Sequence, residues 1–194
     1  MLVIKLEDFS KNYLDQGKKL IDSIDITKLD IIVNAILDVY KKDKQIFIIG
    51  NGGSATTSSH FANDLSKFCI VGGGKRFRAI SLTDNISTIT AWANDAGYDK
   101  IFSEQLLNLV NKEDILIAFT VSGNSPNVIE AVNVAKQNDA KTIAFIGHNG
   151  GKLKKLVDNH IIIESNDFGL VESVHLLLEH VIINLLRNNL LRKI

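Results

Sequence analysis

The sequence is poor in the residues that cross-link, kink or divide a chain: 194 residues include one cysteine and one proline. A lone Cys69 excludes an internal disulfide and is the usage expected in a reducing cytoplasm. With Pro126 the only proline, no Pro/Gly/Ser linker or low-complexity run marks a boundary. A single domain spanning 1–194 is therefore expected, with helices over 1–43 and a core over 44–194, within the ~100–200 residues usual for one domain. Excess charge is also lacking, because 22 Lys and Arg balance 22 Asp and Glu. A neutral chain lacks the basic surplus that coats nucleic acid or an anionic membrane, so neither partner is expected. The short Lys75-Arg76-Phe77-Arg78 cluster reads as a solvated patch. The first residues, MLVIKLEDF, do not place a basic region before an apolar core, as a signal peptide would. Near the C-terminus, Glu179, His180 and Asn184 interrupt the apolar sequence short of the ~20 residues that a membrane span needs. Hydrophobic residues at 45% against 23% charged are enough to build a core, which excludes wholesale disorder.

What is present alternates between two periods. Apolar residues at Leu6, Phe9, Tyr13, Leu20, Ile21 and Ile24 make one helical stripe, and Leu29, Ile32, Val33, Ile36, Leu37 and Tyr40 make a second, with Thr27 placed to cap it. Then come short continuous apolar runs at 45–49, 78–82, 115–119, 142–146 and 160–163. Helical patterns fall between and after them at about 54–68, 85–110, 126–138, 151–157 and 168–190. Unbroken apolar strands alternating with helices predict an α/β fold: a doubly wound α-β-α sandwich around a five-stranded parallel sheet, preceded by two helices. Ligands of such sheets bind outside the carboxyl ends of the strands.

Three strands run into small-residue loops. Gly50-Asn51-Gly52-Gly53-Ser54 follows the first, and a helix starting there aims free N–H groups and its positive end at an anion. The same residues suit a plain strand-to-helix turn. They also fit a variant dinucleotide fingerprint, but positions 69–82 hold no acid for a ribose, which leaves a nicotinamide oxidoreductase as a distant alternative. Thr120-Val121-Ser122-Gly123-Asn124-Ser125-Pro126 follows the third strand, with three hydroxyls that suit a neutral phosphate cradle or helix capping. Gly147-His148-Asn149-Gly150-Gly151 follows the fourth.

Two helical segments carry polar groups in unusual company. His60 and Asp64, four apart, share one helix face. In the last helix, Glu172, His175, Glu179 and His180 interrupt an apolar run. By angle alone, Glu172, His175 and Glu179 lie within about 60° of one another, with His180 about 80° from Glu172. At least one of these is expected to reach a shared site.

Gly50-Asn-Gly-Gly-Ser54, His60-Phe-Ala62, Asn94-Asp95, Ser122-Gly-Asn-Ser125 and Glu172 to His180, in this order, resemble the sugar isomerase (SIS) domain. Within it the chain is most similar to the bacterial phosphoheptose isomerases, over about residues 30–190. The resemblance implies isomerisation of sedoheptulose 7-phosphate to D-glycero-D-manno-heptose 7-phosphate, for surface glycans such as lipopolysaccharide or capsule. It implies a divalent metal, zinc, on His60, Asp64, Glu172 and His180, with Asp64 and His180 as the acid/base pair. It implies substrate contacts from Asn51, Gly52, Gly53, Ser54, Asn94, Asp95, Thr120, Ser122, Ser125 and Glu172, and a homotetramer with sites between subunits.

Three residues depart from the family pattern. Asp64 stands for a glutamate and is shorter by roughly 1.5 Å. Glu172 stands for a glutamine, and Val121 for a threonine. Glu172 could act as the base from the opposing helix. Alternatively, the changes mark a non-catalytic SIS module that binds a sugar phosphate or a protein such as a replication initiator.

Overall fold

In the computed structural model, which describes residues 5–192, five strands form one parallel sheet in the order β2-β1-β3-β4-β5. They are β1 (Gln45–Ile49), β2 (Arg78–Ser81), β3 (Ile115–Thr120), β4 (Lys141–Ile146) and β5 (Asn159–Ile162). The order reverses between β1 and β3, where Ile49 pairs in register with Ala118, so the loops leaving these two strands stand side by side. That is the switch point at which a doubly wound sheet opens a crevice. The α/β expectation holds, and all six residues of β3 are buried, as a central parallel strand requires.

Successive side chains along a strand point to opposite faces. Ile46 and Ile48 join Ile115, Ile117 and Phe119 under α2 (Ile26–Lys41), α3 (Gly53–Lys67) and α7 (Phe168–Leu191). Phe47 and Ile49 join Leu116 and Ala118 on the other face, under α5 (Ser103–Leu109) and α6 (Pro126–Gln137). α1 (Leu6–Asp22) contributes no buried residue. Cys69 is buried in the first of these layers, where desolvation pushes its thiol up to about 12 and keeps it unreactive.

Four local expectations are corrected. The cap of α2 is Asp25, whose carboxylate accepts from the Thr27 N–H at 3.0 Å, with the Thr27 hydroxyl donating to the same oxygen at 2.6 Å. The segment expected as one helix over 85–110 is α4 (Ile86–Asp95), a 3₁₀ turn at Tyr98–Lys100 and α5, interrupted by Gly97 at φ +104°. The segment 151–157 forms only a 3₁₀ turn at Leu153–Lys155, since Gly150 and Gly151 have φ of +86° and +52°. Finally, α7 is by length and composition long and apolar enough to cross a membrane, contrary to the sequence reading. In the fold it is a core helix that buries Leu170, Val171, Val174, Leu178, Ile182 and Leu186.

α7 also buries His175, whose ring lies 5.9 Å from that of Phe119 and 6.3 Å from that of Phe145. Its ring nitrogens make no hydrogen bond of good geometry. Desolvation holds its pKa down at about 4, offset only in part by the nearby Ile146 backbone. Because the folded value lies below the ordinary 6.5, the unfolded chain binds the extra proton. Stability should be full above about pH 6.5 and fall as acid drives the pH toward 4. In urea denaturation, His175 by itself should contribute a loss of about 2 kcal/mol between pH 7 and pH 5, opposed by the buried Glu179 carboxyl, whose raised pKa favours the folded state over the same range. His175→Leu should remove most of that slope.

Candidate active site

The loop after β1 is shaped by Gly52, which takes φ +56° to start α3 at Gly53. No side chain caps this N-terminus, so its first N–H groups face outward with the positive end of the helix behind them. Ser54 is buried at the start of the helix. A Cβ on Gly53 would collide with the Glu172 carboxylate of α7, so only glycine lets that carboxylate lie against the loop.

Asn51 is held by protein partners. Its amide and that of buried Asn127 donate to each other, both at 2.9 Å, and the Tyr98 hydroxyl donates to Asn51 Oδ1 at 3.1 Å. The pair stitches the β1 loop to the first turn of α6. In the loop after β3, Thr120 Oγ1 accepts from the Gly123 N–H at 3.3 Å, and Ser122 Oγ accepts from the Asn124 N–H at 3.1 Å. These two hydroxyls shape the loop. Ser125 precedes Pro126 at the start of α6 and caps nothing with its side chain, which leaves its hydroxyl and the adjacent helix end for a ligand. Asn94 donates to Asp95 at 2.7 Å at the exposed end of α4.

Deeper between α3 and α7, His60, Asp64, Glu179 and His180 each bring one ligand-type atom within 4.8 Å of the others. His60 Nε2 lies 3.6 Å from Asp64 Oδ2, and His180 Nε2 lies 3.5 Å from Glu179 Oε2. The two imidazoles meet edge to face with centroids 5.0 Å apart. They form the open side of the cluster, with side chains 40% and 44% exposed, whereas the Glu179 side chain is 0% exposed. Neither oxygen of Glu179 has a hydrogen-bond partner. Desolvation raises its pKa to about 8, with the nearby Asp64 charge adding to the effect. Two imidazoles and two carboxylates are donors that a divalent cation such as zinc accepts.

The structure thus brings together three of the four residues implied as metal ligands and places the fourth, Glu172, elsewhere. The reason is axial. Glu172 and His180 stand about 80° apart around the helix, and eight residues at 1.5 Å each separate them by about 12 Å along it. Glu179, which the implied ligand set omits, is the fourth member of the cluster. Its signal in the sequence was an acid inside an apolar helix, one residue from a candidate ligand.

Comparison with known proteins agrees with this architecture. The SIS domain family model matches residues 12–147. The phosphoheptose isomerase of Aliarcobacter butzleri is 39% identical over 158 residues, covering 79% of this chain and 81% of the relative. That of Helicobacter pylori strain P12 is 37% identical over 162 residues, covering 83% of each. The solved phosphoheptose isomerase of Neisseria gonorrhoeae superposes with a TM-score of 0.86 at 29% identity, covering 94% of this chain and 98% of that one.

The paired amides yield a test of how the two loops are joined. Asn51→Ala should leave the buried Asn127 amide unpaired and lower stability by about 1–3 kcal/mol, read as a lower urea midpoint. Asn51→Ala with Asn127→Ala should recover part of that loss.

Proposed function

Because the chain belongs to the SIS-domain family, and within it to the phosphoheptose isomerases, we infer that it interconverts sedoheptulose 7-phosphate and D-glycero-D-manno-heptose 7-phosphate in heptose biosynthesis. It is an isomerase, and its substrate is a sugar phosphate. Going from ketose to aldose, a base removes a proton from C1 while an acid protonates the C2 carbonyl oxygen, giving an enediol. A proton is then delivered to C2 as the C1 hydroxyl gives up its own. The observation that carries this reading is the convergence of α3 and α7: an acid/base cluster between the same two helices whose first turns hold the glycine loop and Glu172.

The anionic end of the substrate goes to the N–H groups at the start of α3 and α6, with Ser54 and Ser125 beside them. Asp64 and His180 act as the proton-transfer pair, and Glu172 of α7, against the glycine loop, is the second candidate base. Zinc is the metal implied by the family, and the orphaned Glu179 oxygens and the imidazole and carboxylate donors support a cation there. When bound, it would stabilise negative charge on the substrate oxygens as the enediol forms. His60 and His180, on the open side, would present it to the sugar.

A homotetramer in the cytoplasm completes the reading. α1 buries nothing, and Leu6, Phe9, Leu14 and Ile21 are 83%, 55%, 66% and 42% exposed, an apolar stripe suited to a neighbouring subunit. Sedimentation should give four-chain mass, and Leu14→Glu should shift it to smaller species.

Turnover of sedoheptulose 7-phosphate by the zinc-loaded protein tests the function directly. His180→Ala and Asp64→Asn should lower kcat/KM by about 100-fold or more. Glu172→Gln at full activity would remove Glu172 as a base. A zinc-loaded wild type that binds sugar phosphate without converting it would favour the non-catalytic module.

A further inference from the structure

The cluster between α3 and α7 contains one group that neither the fold nor the proton transfer accounts for. Glu179 is a carboxylate with 0% exposure on the core helix α7, and neither of its oxygens accepts a hydrogen bond. Buried carboxylates are ordinarily paired with a base, hydrogen-bonded or bound to a metal. Among the described residues, Glu179 Oε2 lies 3.5 Å from His180 Nε2, and no lysine or arginine pairs with it. Its oxygen lies within 4.8 Å of donor atoms of His60, Asp64 and His180, converging from two helices.

We propose that Glu179 is a direct ligand of the divalent cation held by His60, Asp64 and His180, and that Glu172 is not. This rests on the reading that the site takes a metal, and it changes the identity of the fourth donor. The shortened Asp64 and the buried Glu179 then belong together. Asp64 withdraws its carboxylate by one methylene, and Glu179 supplies a second carboxylate from the facing helix at the same depth. Two carboxylates and two neutral imidazoles give a net charge of −2, which one divalent cation cancels. A set with a neutral amide as fourth donor would carry only −1. Glu172, about two helical turns away against Gly53, is left facing the substrate loop.

The test is zinc binding by the metal-stripped full-length protein, measured by competition with a chromophoric chelator, alongside the zinc-induced rise in Tm. Glu179→Gln keeps the shape of the side chain and removes its charge. It should weaken zinc binding beyond the ~10–100-fold typical of outer-sphere partners and shrink the Tm rise. The same variant without metal should fold with a Tm close to that of the wild type, because the side chain keeps its shape. Glu172→Ala, which leaves no donor atom at that position, should bind zinc within about threefold of the wild type. Loss of zinc in Glu172→Ala with retention in Glu179→Gln would overturn the assignment while leaving the metal reading intact. A wild type that binds no zinc would overturn both.

Discussion

The packing of α3 against α7 is the constraint on which the rest of the site depends. Both helices start at the carboxyl edge of the sheet and descend along one face, so residues at equal depth meet. At the top, Gly53 has no Cβ and Glu172 lies over it. Two turns below, His60 and Asp64 meet Glu179 and His180. Between these levels His175 is sealed against Phe119 and Phe145, so an apolar layer separates the loop from the cluster on the protein side. The sheet sets this depth, because β1 and β3 pair in register and deliver their loops to the same edge.

Much of the fold was legible in the sequence because its signals are local. Continuous apolar runs gave five strands, and the glycine loops marked their carboxyl ends. The break at Gly97 and the short turn after Gly151 were missed because apolar spacing continues through both segments. Positive φ at a glycine leaves no trace in hydrophobic periodicity. The site was legible in part for a similar reason. The resemblance grouped Glu172 with His180, and spacing gives only their angular positions around the helix. Depth is a tertiary property, fixed by how α7 lies on α3, and it brings Glu179 into the cluster. The hydroxyl loop shows the same limit: composition cannot tell that Thr120 and Ser122 accept from the loop's own N–H groups while Ser125 caps nothing with its side chain.

The neutral total charge conceals a sharply divided site. At the loops, helix N-termini offer positive potential of their own, which suits a phosphate in a chain that has no basic surplus. At the cluster, two carboxylates face each other in a partly dry setting, which suits a cation. The sugar phosphate reading uses both ends: an anion at the helix starts and proton transfer beside the histidines.

That proton route has a direct signature. Sedoheptulose 7-phosphate incubated in D₂O with the zinc-loaded protein and followed by NMR should give the aldose phosphate with solvent deuterium at C2, because an enediol regains its carbon-bound hydrogen from an exchangeable acid. Conversion without deuterium even after many reversible turnovers would contradict proton transfer, and no conversion at all would contradict the isomerase account.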